Sequence, residues 1–149
     1  MGVMPEIRIL KSGDDAVLSN VAPGVFDNAL DPALVAEFLN DKRHHLAVAT
    51  DAGQVVGFAS GVHYVHPDKP AEMFINEVAV APSHHRRGIG KAVIEALLRH
   101  AKDLGCREAW VLTDRDNQAA MRLYASTGGD PGPHDHVMFT FYLKPEERQ

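Results

Sequence analysis

VAVAPSHHRRGIGKAVIEALL, residues 78–98, is the stretch on which the reading of this chain turns. An apolar run ends at Ala81, Pro82 stops it, and a short loop carries His84, His85, Arg86 and Arg87. Gly88-Ile89-Gly90 then opens a helix expected from Gly88 to Leu104, because Ile89, Val93, Leu97, Ala101 and Leu104 recur at helical spacing and Gly105 suits the residue after its end. The first turn of such a helix offers unpaired N–H groups and about half a positive charge, which together attract anions. Gly88 and Gly90 leave no Cβ to hold a phosphate away from those amides, and Arg86, Arg87 and Lys91 add charge beside them. The spacing limits which phosphate fits. The mononucleotide pattern G-x-x-x-x-G-K-[ST] is missing, and a dinucleotide fingerprint would want a small residue where Val93 stands. A pyrophosphate held late in a small α/β domain remains, against the plainer alternative of a loop glycine among solvated arginines.

Outward from this stretch, Glu6 to Leu10 reads as a short strand, and Asp31-Pro32 opens a helix with Leu34, Val35, Phe38 and Leu39 on one face. His45 to Thr50 and Gln54 to Tyr64 form a hairpin across Asp51-Ala52-Gly53, and His66 to Pro70, with two prolines, reads as a loop. Met73 to Ala81 is a strand, as is Glu108 to Thr113; Asn117 to Ser126 is a helix capped by Asp116, and Val137 to Leu143 is a last strand. Strand-helix-strand connections cross right-handedly and make their strands parallel. The expectation is a mixed α/β (α+β) domain with an antiparallel first half and a parallel pair at its centre.

With 149 residues, the chain has the length of one domain, residues 1–149, at roughly 100–200 residues per domain. Its 45% hydrophobic and 23% charged residues are ordinary for a globular protein and exclude disorder, collagen and coiled coil. One cysteine, Cys106, makes neither an internal disulfide nor a thiolate zinc site, and suits a reducing compartment. The first ten residues lack the apolar run of a signal peptide, Met1-Gly2 is followed by Glu6 where acylation wants Ser or Thr, and no stretch approaches the ~20 apolar residues of a membrane span. A cytoplasmic protein without a membrane partner is expected. The net charge of −5 argues against nucleic acid, which needs clustered Lys and Arg, and suits a cationic small molecule.

Two patterns give the chain a family likeness. His85, Gly88 and Gly90 stand where the acyl-CoA-dependent N-acetyltransferases of the GNAT superfamily carry Gln/Arg-x-x-Gly-x-Gly/Ala, and Asn117, Ala120, Leu123, Tyr124 and Gly128 follow that family's Asn-x-x-Ala-x-x-Leu-Tyr-x-x-x-Gly. The chain resembles that superfamily over most of its length, with His85 a departure from the usual Gln or Arg. The resemblance implies a GNAT-type fold with two splayed strands, acetyl-CoA as co-substrate and no metal. It also implies a pyrophosphate on Arg86, Arg87, Gly88, Ile89, Gly90 and Lys91, and a pantetheine arm paired with the backbone of Val78, Ala79 and Val80 across from Trp110 to Thr113. Asn117 either bonds the cofactor or caps its helix. Splayed strands leave N–H and C=O groups unmet, and an amide-bearing ligand can satisfy them.

The chemistry sets further demands. An amine with pKa near ~10.4 is neutral in about one molecule in 2,500 at pH 7, a deficit of roughly 4.6 kcal/mol. Glu77, set with Asn76 in an apolar strand, is the candidate base, since burying a carboxylate without a task is expensive. Direct transfer from amine to an ordinary Glu is uphill by about 8 kcal/mol, so Glu77 needs a raised pKa, an ordered water, or a role in holding the ammonium. Tyr124, two helical turns after Asn117, matches the residue that protonates the leaving thiolate in the family, uphill by only about 2 kcal/mol.

For the acceptor, the run INEVAVAPSHHRRGIGKA looks most like aminoglycoside 3-N-acetyltransferases, whose substrates are polycations. Glu72, Glu77, Asp114 and Asp116 near strand ends suit such a charge, and His63, His66 and His136 flank the expected cleft. His134 and His136 have a metal-like spacing but no third ligand at fixed distance. A peptide N-terminus, a lysine or a polyamine satisfies the same residues. A non-catalytic acyl-CoA sensor would use Gly88 and Gly90 but neither Glu77 nor Tyr124. The last strand, rich in Met, Phe and Tyr, suits either the core or a homodimer.

Overall fold

The computed structural model describes residues 4–144, so Met1-Gly2 lies outside the described residues. Its five strands are β1 (Glu6–Ile9), β2 (His44–Asp51), β3 (Gln54–His66), β4 (Lys69–Val80) and β5 (Glu108–Val111), and its helices are α1 (Pro32–Asn40), α2 (Ile89–Asp103) and α3 (Gln118–Ser126). They form one sheet in the order β1-β2-β3-β4-β5, antiparallel up to β4, with β4 and β5 parallel. The crossover between the parallel strands is α2, whose apolar stripe of Ile89, Val93, Leu97 and Ala101 is buried on the sheet. Phe58 stacks on Phe26 with ring centroids 4.3 Å apart and closes the core on its other side.

Local chemistry explains most boundaries. Asp31 accepts a hydrogen bond from the Ala33 N–H at 2.9 Å and caps α1, with Pro32 at the first helical position. Ala52 and Gly53 have φ of 50° and 81°, the two left-handed residues that a two-residue hairpin needs to match the twist of β2 and β3. Cys106 follows α2, and burial pushes its thiol pKa up.

Four expectations are corrected. His66 to Pro70 is not a loop: β3 runs to His66 and β4 starts at Lys69, and Pro70 falls in the register shift opposite Tyr64 and His66, where a missing N–H is tolerated. The cap of α3 is Asn117, whose side-chain oxygen accepts from Ala120 N–H at 3.0 Å, and not Asp116. Residues 137–143 form no strand; they lie exposed beside the fold. For that reason the parallel pair sits at the edge of the sheet rather than its centre.

Three histidines, buried His45 with half-buried His63 and His100, make a chain at the end of the sheet where β2 begins. A hydrogen bond of 2.9 Å joins His100 Nε2 to His45 Nδ1, and one of 2.7 Å joins His45 Nε2 to His63 Nδ1. Neutral His45 has one donor and one acceptor, which this chain uses fully. Burial, with the neighbouring His100 and His63, lowers the His45 pKa from 6.5 to about 4, and burial lowers His63 and His100 as well. A histidine with a depressed folded-state pKa gives stability that is complete above the unfolded value and is lost as pH falls from about 6.5 towards 4. Urea unfolding at pH 7 and pH 5 should differ by about 2 kcal/mol on account of His45, and His45→Gln should narrow that gap.

Candidate active site

The β4–β5 ladder is short. It pairs Glu72, Met73, Phe74 and Ile75 with Glu108, Ala109, Trp110 and Val111 and then stops. On its other side β4 pairs Ile75 with Gly61 and Glu77 with Ser60, so Asn76 is an extra residue, a β-bulge. Beyond the bulge Glu77, Val78, Ala79 and Val80 pair with β3 only, and among the described residues no strand meets their other edge. A wedge therefore opens between β4 and the continuation of β5. Trp110 and Val111 belong to the closed part, and only Leu112 and Thr113 of the expected far wall lie past the last pair.

At the wide end of the wedge sits the start of α2. Gly88 has φ 77° and Arg86 φ 64°, both left-handed, which turns successive N–H groups of the loop into a concave anion-binding surface. The first bond into the helix is Ala92 N–H to Gly88 O at 3.0 Å, so the N–H groups of Ile89, Gly90 and Lys91 are without intrahelical partners. Among the described residues no carboxylate pairs with Arg86, Arg87 or Lys91. The two glycines differ in purpose. A Cβ on Gly88 would meet nothing within 4 Å, so its backbone conformation is what calls for glycine. A Cβ on Gly90 would stand 3.4 Å from Leu123 Cδ2 on α3 and 3.6 Å from Val80 Cγ2, both ordinary contact distances.

Histidines fix the loop. His84 Nε2–H donates to Asp51 Oδ2 at 2.8 Å, and its Nδ1 accepts from the Ser83 hydroxyl at 2.8 Å, tying the loop to the β2–β3 turn. His85 Nε2–H donates to the Val80 carbonyl at 2.9 Å, so this side chain turns back onto β4 rather than towards an anion. Neither tie was readable in sequence, because Asp51 and His84 are 33 positions apart and no local pattern pairs them.

The remaining candidates separate. Glu77 lies at the bulge with its side chain exposed, and among the described residues it makes no ion pair; the expectation of a buried carboxylate is wrong, because the extra residue turns it to solvent. Tyr124 is half-buried on α3, and burial pushes its phenol pKa above the usual 10. Asn117 spends its oxygen on the α3 cap. Asp114 is exposed just past β5, and Arg115 pairs with Asp135 next to His136, bringing that loop to the same end of β5. Glu72 does not join them. It is buried on the paired half of β4, with Arg107 Nε at 3.6 Å, His66 Nε2 at 3.9 Å and the Tyr64 hydroxyl at 3.4 Å, about 16 Å along the strand from Glu77. His63 belongs to the histidine chain with His45 and His100. An open groove of about 590 Å³, lined by Leu18, Val21, Leu30 and Val35 among others, contains none of the expected site residues. Among the described residues no group of three or more His, Cys, Asp or Glu is arranged for a metal ion.

The pattern of the acetyltransferase (GNAT) family matches residues 18–128, from the first 3₁₀ turn to the end of α3. The chain belongs to the acetyltransferase (GNAT) family. An uncharacterized N-acetyltransferase of Mycobacterium tuberculosis is 31% identical over 102 residues, 68% of this chain and 63% of that protein, so the match spans less than two thirds of the relative's length. The L-2,4-diaminobutyric acid acetyltransferase of Nocardia farcinica is 34% identical over 79 residues, 53% of this chain and 40% of its own. Among solved structures, an aminoglycoside acetyltransferase from an uncultured soil metagenomic sample, in complex with sisomicin, superposes with TM-score 0.77 at 22% identity, covering 93% of this chain and 96% of that one. The aminoglycoside N-acetyltransferase AAC(6')-Iy in complex with CoA gives 0.70 at 24% identity, covering 97% of each. These structures share the GNAT fold; the second is named for the 6' position, and neither is named for 3-N.

The glycine geometry of this GNAT chain gives a pair of outcomes. Gly88→Ala should destabilise by about 1–2 kcal/mol through its left-handed φ. Gly90→Ala meets the side-chain ends of Leu123 and Val80 at ordinary contact distance and gains helix propensity, so urea unfolding should show a change below about 1 kcal/mol.

Proposed function

We propose that the chain transfers the acetyl group of acetyl-CoA to a primary amine of a small cationic acceptor of the aminoglycoside type. The observation that carries this reading is the coincidence of two unmet sets of backbone groups at one place. The first-turn N–H groups of α2, with Arg86, Arg87 and Lys91 around them, suit a pyrophosphate. The open edge of Val78, Ala79 and Val80 suits the amides of a pantetheine arm, which would add to β4 as a strand does. A ligand with both parts, laid from the helix down the wedge, brings its thioester to the bulge at Asn76 and Glu77.

In this reading the amine nitrogen attacks the thioester carbonyl, the C–S bond breaks, and the amide and coenzyme A thiolate form. Glu77, exposed at the mouth of the wedge, holds the incoming ammonium and passes its proton to solvent through water, which avoids the uphill direct transfer. Tyr124 returns a proton to the thiolate. Its raised pKa keeps the phenol protonated across the neutral range and makes the donation more uphill than about 2 kcal/mol, a cost that breaking the thioester offsets. Asp114 and His136, at the far side of the wedge, would meet the acceptor, while Glu72 stays with its Arg107 partner. Support for an amine acceptor comes from the diaminobutyric acid acetyltransferase among the relatives, and for a cationic sugar from the fold neighbours.

Thiol release from acetyl-CoA, followed across aminoglycosides, polyamines and short peptides, should be fastest with an aminoglycoside. Tyr124→Phe should lower kcat ten-fold or more and leave coenzyme A affinity nearly unchanged. In calorimetry, replacing Arg86 and Arg87 together with Ala should weaken coenzyme A binding several-fold; no heat from the native protein at millimolar coenzyme A would overturn the proposal.

A further inference from the structure

The face of the sheet turned away from α2 carries an aromatic row that the wedge leaves unused. Register fixes which side chains share it. Directly opposed residues on antiparallel strands point to one side, and residues two apart on a strand do the same. Ser60, Val62 and Tyr64 of β3 therefore share a face, and their partners Glu77, Phe74 and Glu72 share it with them. Three positions separate Phe74 from Glu77, so in a regular strand they would face opposite sides. Asn76, the extra residue, restores Glu77 to the aromatic side, about 10 Å along β4 from Phe74. Trp110 pairs with Phe74 in the parallel ladder and packs on it, with 4.5 Å between ring centroids. Met73 and Ile75 alternate to the other side and are buried beneath α2.

The polar edges of this row are tied inward. Trp110 is 39% exposed, yet its indole N–H donates to the Tyr64 hydroxyl at 2.6 Å, and that hydroxyl donates to Glu72 Oε1 at 3.4 Å. Glu72 is buried and is held in turn by Arg107 and His66. Burying a carboxylate is costly, and a polar chain that ends in one fixes the members ahead of it. What it fixes here is the indole plane, with its N–H spent and its face free. A rigid, exposed indole attracts in two ways: by stacking on a flat C–H surface, and by the pull of its ring electrons on a cation. The charge around it is acidic. Glu77 is exposed on the same face and Asp114 is exposed just past β5, and among the described residues neither has a cationic partner.

We infer that Trp110 and Phe74 form a stacking platform for a ring of the cationic acceptor, with Tyr64 and Glu72 as positioning residues that hold the indole. The inference rests on the amine-acceptor reading above and deepens it. An aminosugar fits both halves of the site: the C–H face of its ring lies on Trp110, and its ammonium groups reach the carboxylates of Glu77 and Asp114. A ring stacked on Trp110 places an amine of the neighbouring ring at Glu77, where the thioester would lie. A linear polyamine carries the charge but no flat face. A peptide N-terminus carries one charge where the site offers two carboxylates. The platform selects a ring, and Glu77 selects a cation.

Trp110 is the only tryptophan in the chain, so its emission reports the platform without acetyl-CoA and without turnover. Titration of the native chain with sisomicin, an aminoglycoside, should quench or shift that emission saturably, and spermidine should not. In thiol-release assays Trp110→Ala should raise the sisomicin KM about ten-fold and leave kcat and the spermidine KM within about two-fold, the size expected for one lost aromatic contact. Trp110→Phe, which keeps a flat ring, should recover most of that loss. Tyr64→Phe removes the acceptor of the indole N–H and should raise the sisomicin KM several-fold, with a red shift in the emission of the free protein. Emission unmoved by sisomicin, or moved equally by spermidine, overturns the inference, and this titration decides even where a variant fails to fold. A Trp110→Ala protein with an unchanged sisomicin KM overturns it as well. Saturable quenching with no thiol release would sink the transfer reading and uphold the platform as a binding site; thiol release with silent emission would do the reverse.

Discussion

A parallel ladder that ends after four residue pairs is the constraint from which the candidate site follows. β4 and β5 are held together from Glu72 to Ile75, where Met73 and Ile75 are buried beneath α2 and Phe74 packs on Trp110. Asn76 then adds a residue to β4, and the added residue bends the strand and turns it from its neighbour. Backbone groups on strands normally find partners, and an open row of them inside a fold is costly unless water or a ligand takes them up. In this chain the open row ends where the N–H groups of α2 begin, and one extended, anion-headed molecule can satisfy both. The geometry of the wedge is thus a consequence of sheet hydrogen bonding, with side chains placed around it afterwards.

What fixes the loop between β4 and α2 is a set of short hydrogen bonds from histidines. His85 holds the Val80 carbonyl and His84 joins Asp51 and Ser83. Among the described residues no carboxylate pairs with Arg86 or Arg87. A left-handed Arg86 costs more than a left-handed glycine, so these ties over-determine a strained turn. The departure of this chain at position 85 is structural: a ring nitrogen braces the strand end, and the first-turn amides of α2 stay without intrahelical partners.

Much of the fold was legible in the sequence, and for identifiable reasons. α1 announced itself by Asp31-Pro32 and α2 by its stripe from Ile89 to Leu104, since capping and periodicity are local. The loop that leads into α2 was legible because strand, loop and helix follow one another without a break. Glu77 was misjudged because a polar residue in an apolar run looks buried, and a bulge, which depends on register with β3, exposes it. Glu72 looked like a cleft residue, but Arg107, just before β5, and Tyr64 of β3 hold it. Residues 137–143 have the alternation of a strand, but alternation says nothing about whether a sheet edge stands within reach of the segment.

The lone thiol has a practical corollary. Cys106 follows α2, and burial lifts its pKa, so little of it is ionised near neutrality, and it is the ionised sulfur that reacts with disulfide reagents. A chromogenic disulfide added to a reaction mixture therefore finds a sluggish protein partner and a quick coenzyme one, and the colour it develops early belongs to the liberated carrier.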